Sequence, residues 1–151
     1  MGDTDVDAFR VGIVEDHLRY REALQATIAL ISGITVAWVA DNSTDAIEKM
    51  TGDQVDLVIV DLSIPGESGI WLIGRLREMW PETTCIVVSG HTESSYVRRS
   101  VDAGASAYVL KGRPADLRAG IAAGRRRERF VSPALRMEGI GLEGLGSGAD
   151  G

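Results

Sequence analysis

The sequence predicts an α/β protein, a five-stranded doubly wound parallel sheet with helices on both faces. Three observations predict it. Five short, β-branched apolar runs recur between residues 9 and 110. They are nearly continuous in apolar character instead of alternating, as parallel strands covered on both faces should be. Amphipathic segments separate them, and right-handed crossovers then place those helices on the two faces of the sheet.

The first strand is expected at 9–14, followed by a helix over 17–31 whose stripe is Leu24, Ile28 and Ile31. A second strand at 34–40 leads to Asn42-Ser43-Thr44, residue types that cap a short helix through Met50. The third strand, 55–60, is the clearest: Asp56 and Asp61 bracket Leu57-Val58-Ile59-Val60. A helix over 68–80 places Ile70, Ile73 and Leu76 on one face or Trp71 and Met79 on another, and Pro81 stops it. The fourth strand, 84–88, precedes a helix marked by Val97 and Val101. After the Gly104-Ala105 break comes the fifth strand, 107–110, and then a helix with Leu117 and Ile121 inward. Pro114 suits the first turn of that helix, where no backbone donor is missed.

A chain of 151 residues fits one domain, here expected at 9–130, with 131–151 as a linker or flexible tail. The net charge of -6 argues against a nucleic-acid-binding surface on this chain. Arg125-Arg126-Arg127-Glu128-Arg129 reads as the solvated end of the last helix, with a partner patch as the sharper alternative. Cys85, the single cysteine, lies in an apolar run and excludes an internal disulfide or a multi-thiolate zinc site. Neither a signal-peptide pattern nor an apolar run approaching the roughly 20 residues of a membrane span is present. No membrane association is expected, and cytoplasmic residence is the default expectation.

Chemistry concentrates at the carboxyl ends of the strands, where such sheets bind ligands. Strand one ends in Glu15-Asp16, strand three in Asp61, strand four in Ser89-Gly90 and strand five in Leu110-Lys111. Taken singly, each has a bland reading: Asp61 as a cap or solvated acid, Ser89 as a turn hydroxyl, Lys111 as surface charge. Together they place three acids in one small volume, which is unfavourable unless a cation neutralises them. Oxygen-only ligands suit Mg²⁺.

With those residues in place, the chain resembles the response-regulator receiver family, and within it the receiver half of LuxR/NarL-type transcriptional regulators. The resemblance spans roughly 10–134 and rests on three motifs in order. They are Phe9-Arg10-Val11-Gly12-Ile13-Val14-Glu15-Asp16-His17, Val58-Ile59-Val60-Asp61-Leu62-Ser63-Ile64-Pro65-Gly66-Glu67-Ser68-Gly69, and Val101-Asp102-Ala103-Gly104-Ala105-Ser106-Ala107-Tyr108-Val109-Leu110-Lys111.

The resemblance implies the flavodoxin-like strand order 2-1-3-4-5 and phosphorylation of Asp61 by a sensor histidine kinase. It implies Asp16 as a direct Mg²⁺ ligand, Glu15 acting directly or through water, and the Ser63 backbone carbonyl completing the set with Asp61. Ser89 and Lys111 would receive the phosphoryl group, so that Asp61, Ser89 and Lys111 together catalyse the domain's own Mg²⁺-dependent phosphorylation. Tyr108 matches the switch aromatic that responds to Ser89, or else is partly exposed core. Ser63 and His91 occupy positions that tune loss of the phosphoryl group, with His91 either shaping water access or lying in solvent. The implied output is a homodimer when phosphorylated and transcription regulation through a DNA-binding domain absent from residues 131–151. The chain is then either part of a longer regulator or a stand-alone receiver.

Three positions depart from common family forms. Glu15 replaces an aspartate, Gly112 stands where many receivers have proline, and Arg113 stands where a capping serine is expected. A phosphorylation-independent pseudo-receiver is the alternative function, weakened by the presence of Asp16, Asp61, Ser89 and Lys111. A haloacid-dehalogenase-like phosphatase would need an acid where Ser63 stands. A nucleotide-binding module would need a glycine-rich cradle where Glu15-Asp16-His17 stands.

Overall fold

The computed structural model describes residues 8–136. Strands β1 (Phe9–Val14), β2 (Ile34–Ala40), β3 (Leu57–Asp61), β4 (Thr84–Ser89) and β5 (Ala107–Leu110) alternate with helices α1 (Leu18–Ala29), α2 (Ser43–Gly52), α3 (Gly69–Met79), α4 (Ser94–Ala103) and α5 (Pro114–Arg125). All neighbouring strands pair in parallel, in the order β2-β1-β3-β4-β5, as the resemblance implied.

The near-continuous apolar runs divide by a period of two. Val11, Ile13, Leu57, Ile59, Ile86, Val88, Ala107 and Val109 face one side, where Leu24 and Ile28 of α1 and Leu117 and Ile121 of α5 cover them. Val14, Val58, Val60, Cys85, Val87, Tyr108 and Leu110 face the other, packed with Ala46 and Met50 of α2, Leu72, Ile73 and Leu76 of α3 and Val97 of α4. Trp71 and Met79 lie on the exposed face of α3, which settles the two-face choice left open there.

The caps follow the residue types. Asn42 accepts from the Asp45 amide at 2.8 Å and Ser68 accepts from the Trp71 amide at 3.1 Å. Arg113 caps α5 without a side-chain hydrogen bond, leaving Pro114 to start the helix. Gly12 marks a register shift between β1 and β2, and a Cβ there would lie 2.5 Å from the Trp38 ring. That ring is fixed in turn by a 2.9 Å hydrogen bond from its N–H to the Asp53 carbonyl.

The chain past α5 departs from the expectation of a tail beginning at 131. Arg127 adopts φ 59, and the Glu128 amide closes onto the Ala123 carbonyl at 2.8 Å, turning the chain back toward the sheet. A sixth strand, β6 (Phe130–Val131), then pairs with β5, and a single turn of helix, α6 (Pro133–Arg136), follows. Val131, Ser132 and Leu135 are buried. The Ser132 hydroxyl accepts the Leu110 amide at 3.0 Å, satisfying a donor at the β5 edge. Two residues are too few to show a period, so the sequence pattern does not reveal this strand. The remainder of the expected tail, 137–151, lies outside the described residues. Within the arginine run, Arg125 sits over the Phe9 ring, Arg126 pairs with Glu128, and Arg127 pairs with Glu82. No helix among the described residues is long and apolar enough to cross a membrane.

Candidate functional site

The parallel sheet delivers Glu15-Asp16, Asp61, Ser89-Gly90 and Lys111 to one edge, because each follows or ends a strand running in the same direction. Glu15, Asp16 and Asp61 each offer a carboxylate oxygen within 4.8 Å of the others. Glu15 is 1% exposed and Asp61 3%, whereas Asp16 opens to solvent.

Lys111 reaches across from the end of β5. Its Nζ stands 3.1 Å from Asp61 Oδ2 and 3.5 Å from Glu15 Oε1. The other Asp61 oxygen, Oδ1, accepts the Ser63 amide at 3.1 Å, and Glu15 Oε2 accepts the His17 amide at 3.1 Å. Glu15 Oε1 is buried and has no hydrogen bond; its approach to Lys111 is an ion-pair distance only.

Lys111 therefore faces two carboxylates of the three-acid cluster. Burial, and then the neighbouring Asp61 charge, push the Glu15 pKa up to about 7, against smaller opposing effects of the His17 amide and Lys111. An orphaned buried carboxylate oxygen, an excess of negative charge and an all-oxygen donor set fit a divalent cation.

The turn after Asp61 is held close by Gly69. A Cβ there would meet the Asp61 carbonyl oxygen and Leu62 Cα, each at 2.6 Å, so α3 begins against the backbone of the acidic turn. Gly66 supplies φ +84 within the same loop.

Ser89 is fully buried; its hydroxyl accepts the His91 amide at 3.0 Å and its carbonyl accepts the Lys111 amide at 2.9 Å. Tyr108 is fully buried too, with its hydroxyl donating to the His91 carbonyl at 2.8 Å. The partly exposed alternative for Tyr108 is thereby removed. Burial pushes the Tyr108 hydroxyl's pKa up, and the adjacent Ser89 hydroxyl opposes that shift. His91 itself is half-buried, neither simply solvated nor sealed: its ring stacks on Tyr96 at 4.0 Å between centroids and lies 3.4 Å from the Ser63 hydroxyl.

The residue that sequence reasoning missed is Tyr20, in the first turn of α1. Lys111 Nζ lies 4.6 Å from the centre of its ring. Its position four residues after Asp16, on a helix leaving the site, was the available signal.

Residues 11–122 match the model of the response regulator receiver domain. The chain belongs to the response-regulator receiver family. A two-component response regulator of the LuxR family from Aurantimonas sp. SI85-9A1 superposes with a TM-score of 0.83 at 29% identity, covering 87% of this chain and 94% of that one. The isolated receiver of RcsB from Salmonella enterica serovar Typhimurium, solved with a phosphomimetic, gives 0.81 at 25% identity, covering 86% and 97%. In sequence, Fimbriae Z protein of Salmonella typhimurium is 32% identical over 99 residues, 66% of this chain and 47% of that protein. This receiver thus resembles the LuxR/NarL type and spans about half the length, or less, of the curated relatives it matches first. Its Glu15, Asp16 and Asp61 form the acidic cluster typical of receiver self-phosphorylation sites, able to coordinate a divalent metal.

Proposed function

We propose that this receiver takes a phosphoryl group from a sensor histidine kinase onto Asp61. One observation carries the reading: a buried Asp61 carboxylate held by Lys111 at 3.1 Å within a cluster of three acids. In the transfer, an Asp61 oxygen forms the new bond to phosphorus in line as the P–N bond to the kinase imidazole breaks. The bonding pair leaves with the imidazole nitrogen. Asp16, Asp61, the Ser63 backbone carbonyl and Glu15, directly or through water, would hold Mg²⁺, whose chemistry there is to offset charge on the phosphoryl oxygens. Lys111 adds positive charge on the Asp61 side, so catalysis is mostly positioning and electrostatics.

Ser89 suits the receiving role because its hydroxyl already accepts from the His91 amide and keeps its own proton to donate. Its movement toward a phosphoryl oxygen would disturb the His91 peptide, whose carbonyl holds the Tyr108 hydroxyl. Burial of Tyr108 with its hydroxyl on the His91 carbonyl supports a coupling between Ser89 and this aromatic. Ser63 and His91, in contact across the mouth of the site, would set the lifetime of the acyl phosphate.

The proposed output is a homodimer when phosphorylated, feeding transcription regulation through a DNA-binding domain. RcsB, a structural neighbour, is described as dimers bound to DNA. The test is intact-protein mass spectrometry after treatment with acetyl phosphate and Mg²⁺. One added phosphoryl group in the wild type and none in Asp61→Asn is the expected result. A full phosphorylated peak in Asp61→Asn would move the site, and no addition to the wild type by acetyl phosphate or a kinase partner would favour a phosphorylation-independent interaction module.

A further inference from the structure

Lys111 is placed by more than its two carboxylates. Its Nζ stands over the Tyr20 ring at 4.6 Å from the centroid, while Asp61 and Glu15 approach at 3.1 and 3.5 Å. The Tyr20 ring packs against the apolar cluster beneath α1 and α5, so it is a fixed surface. Tyr20 is itself anchored by the acidic segment: its amide donates to His17 Nδ1 at 3.4 Å, and the His17 amide donates to Glu15 Oε2. The same short stretch of chain therefore supplies one of the lysine's carboxylate partners and its aromatic floor.

We infer that Tyr20 is a positioning residue, an aromatic face that holds the Lys111 ammonium against Asp61. Three physical points support this. A lysine has a flexible four-carbon stem, and with one carboxylate oxygen at 3.1 Å and another at 3.5 Å its head can choose between them. An aromatic face attracts the cation without offering a competing acceptor, so it limits the head's freedom without drawing it away from Asp61. Lys111 is 29% exposed, and the ring shields part of it from water, where such a contact is stronger than on an open surface.

The inference rests on the reading of Asp61 as phosphoacceptor, and its test separates the two. In Tyr20→Leu the apolar packing is kept and the π face lost; Tyr20→Phe keeps the face and loses only the hydroxyl. By NMR of the full chain, the Lys111 CεH₂ protons should be shifted upfield by the ring in the wild type and in Tyr20→Phe, and not in Tyr20→Leu. Phosphorylation by acetyl phosphate with Mg²⁺ should slow roughly 2- to 30-fold in Tyr20→Leu, the range a cation–π contact spans, and recover in Tyr20→Phe. In a Lys111→Met background, adding Tyr20→Leu should change nothing further. An unshifted Lys111 resonance in the wild type overturns the placement, and equal slowing by Tyr20→Leu with and without Lys111 makes its role merely structural. If the wild type takes no phosphoryl group while the resonance is shifted, the phosphoacceptor reading fails and the placement of Lys111 stands.

Discussion

Replacing Gly69 by alanine tests how tightly α3 is seated against the phosphoacceptor turn. The new Cβ would stand 2.6 Å from both the Asp61 carbonyl oxygen and Leu62 Cα. That is about 0.7 Å inside a normal C···O approach. Both obstacles are backbone, so no rotamer change relieves them; the start of α3 or the Asp61–Leu62 peptide has to move. Overpacking of this kind costs roughly 1–3 kcal/mol, and a backbone obstacle puts it toward the upper end. The gain in helix propensity offsets less than the full interior value of about 1 kcal/mol, because Gly69 is the first helical residue. The net expectation is a loss of about 2 kcal/mol, or a melting temperature lower by roughly 4–8 °C for a domain of this size.

Gly74 lies on the same helix with nothing within 4 Å of an added Cβ. Gly74→Ala should therefore stabilise, by up to about 1 kcal/mol. Urea denaturation of the two variants beside the wild type measures both signs. Displacement of the Asp61 carbonyl should also slow acetyl-phosphate labelling in Gly69→Ala only. If Gly69→Ala proves as stable as Gly74→Ala and labels at the wild-type rate, α3 is not seated as described.

Other outcomes follow from the same geometry. Asp16→Asn removes a charged oxygen from the acid cluster, so calorimetric Mg²⁺ affinity and phosphorylation should both fall; unchanged affinity would remove Asp16 from the ligand set. Burial pushes the Cys85 thiol up to about 12, so a disulfide reagent at pH 8 should label it only as fast as the protein unfolds. The stability sign follows: below about 9 both folded and unfolded thiols are protonated, and above it the unfolded chain loses its proton first, so the Cys85 contribution declines as pH rises toward 12. Rapid labelling of the native protein would contradict this burial. Sedimentation with and without beryllofluoride should show a dimer favoured by the phosphate mimic, and a monomeric mass in both states across micromolar concentrations would rule that out for this chain.

Local chemistry was enough to specify most of the architecture. Leu57-Val58-Ile59-Val60 can satisfy its two apolar faces only inside a covered parallel sheet, and Asn42 and Ser68 announce their helices by side-chain capping. The order of the motifs placed Glu15, Asp16, Asp61, Ser89 and Lys111 at one sheet edge because strand direction is the same throughout. Sequence could not decide distances or partners across the fold. Phe130–Val131 becomes a strand because β5 offers an open edge and Ser132 can satisfy Leu110, not because two residues have a period. Tyr108 is sealed inward because the His91 carbonyl accepts its hydroxyl, and Tyr20 meets Lys111 because α1 and the end of β5 converge from ninety residues apart in the chain (about that separation, far beyond any local pattern). Periodicity and capping act within a few residues of themselves and so are written in the sequence; burial of Glu15 and the reach of Lys111 are properties of segments meeting in space, which only the folded chain determines.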